Sequence, residues 1–282
     1  SGEFGELSQV LDRRADLTDD MEDMARIKQE QGRVLEVEIK DKRAAAMAYE
    51  EALELEVDSV EVMRRLESLY QEMGDQRELS RIIEHRIKHS TDEGARRDAL
   101  VQLATIEEQL ARPRRAIEKY QAVVELDPSF ESGWNELVRL YESEGQWEEL
   151  CDAYQHLIAI ADTPSAQNEL RISAARVFEV KLKNWERASD LADEILADEP
   201  EHQQAMWLRA RVNELRHDDD DAIEAYEALV ATLNDGNEKI ATLLSLGRLY
   251  LDKRDNTAKA LECFREASAI DDNSEEARAY LK

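Results

Sequence analysis

Among the residues that could do chemistry, His85 and His89 come first, because a spacing of four puts both rings on one helix face, where two imidazoles can share a zinc ion. No cysteine or carboxylate motif completes that set, and a lone pair of this kind reads as surface decoration. His217 with Asp218 to Asp221 could offer oxygens to a divalent cation. The EF-hand spacing and its glycine are missing there, and aspartates ahead of Ala222-Ile223 are already explained as charges at a helix's positive amino end. The sequence holds no Gly-x-Gly-x-x-Gly, no Gly-Lys-Ser/Thr, no Gly-x-Ser-x-Gly and no Cys-x-x-Cys. Nothing pairs two carboxylates in an apolar setting. These absences argue against an enzyme, and no metal or cofactor is expected.

One constellation rises above that background. Aligned on itself, the chain places Arg139, Arg176, Arg211 and Arg248 at the same point of four successive helices, with spacings of 37, 35 and 37, and Arg33 matches from the first. Each stands two residues after an inward Leu or Ala, about 200° round the helix from the packed face. A guanidinium fork grips carboxylates or backbone carbonyls, so this ladder, with Trp207 as an aromatic anchor and Asn135 as an amide, reads as a site for an extended or helical segment. A plainer reading uses the same residues. Glu136, Glu142, Glu169, Glu179 and Glu214 accompany the arginines, which would then neutralise them and hold neighbouring helices in register, each exposed pair contributing little. The two readings are compatible, and the sequence leaves both open.

The elements that must position these side chains are amphipathic helices. In Arg114 to Asp127, Ala116, Tyr120 and Val123 fall at i, i+4 and i+7, and Pro128 stops the helix. The stripe returns as Ala45/Tyr49/Ala52, Leu79/Ile83, Leu150/Tyr154/Leu157, Ala188/Ala192/Ile195, Ala222/Tyr226/Leu229 and Ala260/Phe264/Ala267. Counting from Leu7 through these leaders gives spacings of 38, 34, 37, 34, 38, 34 and 38, so the period is a tandem pair of 71 or 72 residues. Short units end their first helix at a glycine or polar turn, Gly74-Asp75 and Gly145-Gln146. Long units carry an extra turn instead, at Glu108 to Pro113, Val180 to Trp185 and Leu251 to Asn256. Asp127-Pro128, Asp162-Thr163-Pro164, Glu199-Pro200 and Asp271-Asp272-Asn273 separate units, their small polar residues capping the next helix. Ser274 before Glu275 and Glu276 is one such cap. Asn234 to Asn237 is an ordinary turn. The recurring Tyr49, Tyr120, Tyr154, Tyr226 and Phe264 read as packing between helices. Trp134 reads as core, Trp147 and Trp185 as staples at helix starts, and Trp207 falls outside the stripe.

Trp134-x-x-Leu137-x-x-x-Tyr141 and Leu243-x-x-Leu246-Gly247-x-x-Tyr250, alternating with Ala-x-x-x-Tyr helices that end in Asp-Pro, are similar to tetratricopeptide repeats. The resemblance covers the chain after residue 4. Arg209 departs from it, standing where the family has leucine, as does Glu67, standing where the family has a small residue. It implies an all-α, right-handed α-solenoid of about seven antiparallel helix pairs, residues 5–282 forming one domain, with first helices lining a concave groove. The family's paired Lys and Asn clamp for carboxylates is not reproduced, so that mode of tail binding is not implied. The tandem alternation is also similar to long bacterial repeat arrays.

Sixty-five acidic against 37 basic residues leave a net charge of -28, which repels nucleic acid and anionic lipid and favours a basic or neutral protein partner. Cys151 and Cys263 lie in helical stripes more than a hundred residues apart and read as small buried residues, which suits a reducing, cytoplasmic setting. No apolar run is long enough to insert in a membrane. Ser1 to Phe4 reads as a cloning remnant, Glu-Phe being what an EcoRI site encodes. The chain opens on a second helix and closes on half of a first helix, so a piece of a longer array is expected, with Leu7/Val10/Leu11 and Tyr280/Leu281 as cut faces. Three functions follow: a non-enzymatic scaffold that binds a peptide or protein surface in the groove, a spacer that self-associates end to end, or a regulatory domain of a larger protein.

Overall fold

A computed structural model of the protein describes residues 2–234, 236–253, 256–271 and 275–281. Among them every regular element is helical. The chain divides into two compact units, Ser1–Leu140 and Tyr141–Lys282. The first holds α1 (Gly2–Asp16), α2 (Met21–Val34), α3 (Lys42–Leu55), α4 (Val60–Met73), α5 (Gln76–His89), α6 (Glu93–Gln109), α7 (Pro113–Leu126) and most of α8 (Glu131–Glu144). The second begins in the last turn of α8. It continues with α9 (Trp147–Ile160), α10 (Pro164–Val177), α11 (Trp185–Asp198), α12 (Gln203–Arg216), α13 (Asp219–Thr232), α14 (Asn237–Asp252), α15 (Thr257–Ile270) and α16 (Glu275–Tyr280). Within each unit a helix packs chiefly on its neighbours in sequence, the all-α solenoid pattern of antiparallel pairs.

The stripes explain this packing. Ala45, Leu79, Ala116, Leu150, Ala188, Ala222 and Ala260 are each no more than 3% exposed. In the first unit Tyr49, Met63, Leu66, Ile82, Ile83 and Leu103 share one core, and in the second Tyr226, Leu243, Leu246, Phe264 and Ala267 share another. The first stripe departs from the expected frame. Leu11 is buried against Ala15 and Ile27, whereas Leu7 and Val10 face outward, because α2 covers only one flank of α1. At the other end Tyr280 is half-exposed, its ring stacked on Phe264, and Leu281 packs against the core. The helix α1 also starts at Gly2, running through residues read as a cloning remnant.

Helix starts follow from side-chain caps. Asp20, Asp41, Asp75 and Asp92 each accept a hydrogen bond from the backbone N–H three residues on, at 2.8–3.3 Å, and Thr163, Asn184 and His202 do so in the second unit. The turn at Asp235, part of the extra turn at Arg254 and Asp255, the stop at Asp272-Asn273 and the Ser274 cap lie outside the described residues.

Helix ends show how long units absorb their extra residues. Left-handed residues close first helices at Lys40, Gly74, Ala111, Gly145, Lys183 and His217, which are 34, 37, 34, 38 and 34 residues apart. In two long units the lengthened end of the first helix is one turn of π-helix, Leu35–Ile39 and Phe178–Leu182, so the expected extra turn is a widened one. Only two of the six left-handed positions are glycine. A side chain there costs on the order of 1 kcal/mol. Ala111→Gly should therefore raise stability by about 1 kcal/mol, seen as a higher urea midpoint with an unchanged slope.

Candidate functional site

In the second unit the first helices α10, α12 and α14 present a common face. On α12 the residues are Gln203, Gln204, Trp207, Arg211, Glu214 and Leu215, a stripe at helical spacing. On α14 they include Glu238, Ala241, Thr242, Arg248, Leu249 and Asp252. Two hollows use this stripe. The first, of about 320 Å³, is lined by Arg176 from α10, by Gln203, Gln204 and Trp207 from α12, and by Glu238, Ala241 and Thr242 from α14, over Leu229 and Leu233. The second, of about 590 Å³, holds Arg211, Arg248 and Lys253 among Glu214, Asp252 and Trp185.

The arginine ladder is not uniform. Arg139, in the first unit, is held by Glu108 at 2.5 Å and Glu136 at 2.7 Å, and Asn135 stands exposed one turn before it. Arg211 sits 3.0 Å from Glu214 and 3.7 Å from Glu179, and Glu214 also accepts from the Tyr226 hydroxyl at 3.0 Å. Glu179 is only 9% exposed, and burial pushes its carboxyl above the ordinary range while Arg211 and Arg176 pull it back. Arg248 donates to Ser245 at 3.2 Å. The plainer reading of the ladder thus describes Arg139 and Arg211. Arg176 differs: it is exposed, feels Glu179 one turn on, and has no carboxylate at ion-pair distance among the described residues. Arg33 lies in a further hollow of the first unit, of about 260 Å³, with Arg26, Gln29, Tyr49, Glu61 and Arg65.

Trp207 is 37% exposed at the mouth of the first hollow. The other tryptophans are engaged. The Trp134 indole N–H donates to the Pro128 carbonyl at 3.0 Å, and this half-buried ring ties a loop down rather than filling the core. The Lys181 ammonium lies 4.6 Å from the Trp147 ring centre, and Trp185 packs on the α11 core. Glu238, Gln203, Gln204 and Leu233 were not picked out from sequence, and Leu229 was read only as part of a packing stripe. The glutamines could have been, standing four and three residues before Trp207. Leu229 comes from a second helix and Leu233 from the residue that caps its end, and only packing puts them beneath this face.

The remaining candidate chemistry is accounted for by local structure. The His85 and His89 rings stack at 4.4 Å, and His85 Nε2 faces the Val57 carbonyl at 2.5 Å. His217 is a left-handed helix end, followed by Asp218 beside Arg216 at 3.1 Å. Among the described residues no three His, Cys, Asp or Glu side chains gather as a metal group. Both cysteines are free and buried. Burial pushes the Cys151 thiol up to about 12 and the Cys263 thiol up to about 11. At pH 8 alkylation by iodoacetamide should be at least about a hundredfold slower in the native protein than in urea, because little thiolate forms and neither sulfur is open.

Tetratricopeptide-repeat profiles match residues 134–167 and 179–237. Over these two segments the chain is similar to tetratricopeptide repeats. The first match holds the first helix that ends at Gly145 and the second the one that ends at His217. The C-terminal part of a repeat protein of this family from Cytophaga hutchinsonii superposes with a TM-score of 0.55 at 16% identity, over 90% of this chain and 99% of that one. The structure of Naa15/Naa10 bound to HypK-THB gives a TM-score of 0.55 at 17% identity, over 99% of this chain and 44% of that one. At these identities the likeness is one of fold. No curated protein matches the chain.

Proposed function

We propose that this chain is a protein-interaction scaffold, holding a peptide or protein surface along the first-helix face of its second unit. Repeats of this family serve in general as interaction scaffolds. The observation that carries the reading is Trp207, a large ring left 37% exposed at the mouth of a hollow with an apolar floor, beside the Arg176 guanidinium, which has no carboxylate at ion-pair distance among the described residues. Exposed aromatics beside a few polar groups are where binding energy concentrates. A rigid face also spares the partner's site its own ordering cost, so only the partner loses freedom. The net charge of -28 favours a basic or neutral partner over nucleic acid. Among the described residues no helix is long and apolar enough to cross a membrane.

Affinity capture from the native host, with wild type beside Arg176→Glu/Trp207→Ala, tests the reading. Loss of the captured partners from the folded variant is expected. An unchanged partner set removes this face from consideration. A second reading, association of copies end to end, draws on Leu7 and Val10, which are 41% and 58% exposed. It requires light scattering that rises with concentration and is abolished by Val10→Asp.

A further inference from the structure

The charges around the first hollow are arranged in an order. Arg176 is on α10, the amides and indole of Gln203, Gln204 and Trp207 are on α12, and Glu238 is on α14. Neither Arg176 nor Glu238 has an opposite charge at ion-pair distance among the described residues, although the chain forms such pairs at many other places. Glu238 is exposed, and only its backbone carbonyl is used, accepting from the Thr242 hydroxyl at 2.8 Å. Between the two charges the floor is apolar, with Leu229 only 1% exposed. A cation, an indole over leucines and an anion therefore follow one another across three helices.

We infer that this hollow binds an extended peptide segment in one direction, an acidic side chain on Arg176, an apolar side chain on Trp207 and Leu233, and a basic side chain on Glu238. Neighbouring helix axes are about 8–10 Å apart, so α10 and α14 stand roughly 16–20 Å from each other. Extended chain advances about 3.3 Å per residue, and with the long side chains leaning inward the two charges of the ligand are about four to six residues apart. A helical ligand rises only about 1.5 Å per residue and would need its two charges about seven to eleven residues apart to cover the same span, so the spacing of the selected charges tells the two forms apart. The Gln203 amide already donates to the Thr232 carbonyl at 3.1 Å, which leaves Gln204 to meet the ligand backbone. The arrangement also reconciles an acidic chain with a ligand that carries an acid, since the ligand's basic end is drawn in by the overall field and its acidic end meets the local guanidinium.

This inference rests on the interaction reading above and names its ligand class. The probe is a displayed library of random twelve-residue peptides selected on the whole chain, wild type against Arg176→Glu, Glu238→Arg and the double reversal, each checked for folding by circular dichroism. Wild type should enrich peptides with an acid and a base about five residues apart in a fixed order around an apolar residue. A synthetic peptide from that set should bind about tenfold more weakly to either single reversal and to Trp207→Ala. The double reversal should prefer the peptide with its two charges exchanged, a result loss of structure cannot produce. Arg176→Gln serves if Arg176→Glu unfolds, and should erase the preference for the acid alone. Enrichment without charge order, a peptide ranking unmoved by the reversals, or no enrichment at all overturns the inference. If host partners are still lost from Arg176→Glu/Trp207→Ala while the library shows no charge order, only the ligand class falls. If the host partners are unchanged, the face itself falls.

Discussion

Gly247→Ala should destabilise the protein by about 2 kcal/mol, although alanine is the better helix former. The intrinsic gain from glycine to alanine in a helix interior is about 1 kcal/mol. Against it stands space. A Cβ on Gly247 would lie 2.5 Å from Cε1 and 2.8 Å from Cζ of Phe264. That ring is 1% exposed and stacked on Tyr280 with centroids 4.3 Å apart, so it cannot swing away without opening the α14–α15 contact and losing the stack. Overpacking of this kind costs about 1–3 kcal/mol or more, and displacement of a full ring sits at the upper end. The cause is separable by a double-mutant cycle. In a Phe264→Leu background, where the atoms in the way are gone, Gly247→Ala should become neutral or stabilising, and the two changes should be non-additive by more than about 1 kcal/mol in urea denaturation. Additive losses would show that the glycine serves something other than the ring. Gly32 faces Tyr49 at 2.8 Å in the first unit and should behave alike.

Arg86→Ala should cost about 3–4 kcal/mol at pH 7, and the loss should shrink on acidification. Arg86 Nε lies 2.7 Å from Glu67 Oε1, with the side chains only 21% and 14% exposed, and the approach is an ion pair out of line for a hydrogen bond. A second guanidinium nitrogen donates to Gln102 at 2.9 Å, so this one side chain of α5 ties α4 to α6. Burial raises the Glu67 carboxyl above its ordinary 4.5, with Arg86 the main opposing influence. Removing the cation leaves a buried carboxylate unpaired, the expensive case. A carboxyl with a raised folded pKa contributes its stability below the ordinary value and loses it as pH rises through the folded one. The variant, with Glu67 raised further, therefore suffers most at neutral pH and recovers toward pH 4.5 as the group protonates. Replacing both partners, Glu67→Met/Arg86→Leu, should be close to neutral, because no charge is then buried. Equal losses at both pH values, or a double replacement as damaging as the single one, would contradict this account.

Glu67 shows how far the sequence could be read. It was legible as a departure from the small residue that the repeat pattern holds at that point, but Arg86 lies 19 residues on, on the next helix, at no spacing that periodicity links to it. The π-turns were legible only as the longer spacing of 38 and, near Phe178–Leu182, as an extra turn. That lengthening turned into a wider turn at Leu35–Ile39 because a π-turn takes in added chain while keeping both flanking helices on the core. The candidate site divides in the same way. Arg176 and Trp207 could be found by counting, since both belong to a face with a fixed period. What counting could not separate was Arg211, already held by Glu179 and Glu214, from Arg176, which is not.

By itself the sequence determined the helices, their pairing and the tandem period, because each stripe of small and aromatic residues has an apolar flank that only the next helix can cover, and proline, glycine and capping aspartates fix where each helix stops. Tertiary structure alone decided which charges are spent and which are free. Ion pairs depend on the distance between side chains from different helices, and a shift of a few ångströms at a helix end separates Arg211, bound into the fold, from Arg176 and Glu238, left facing the hollow around Trp207.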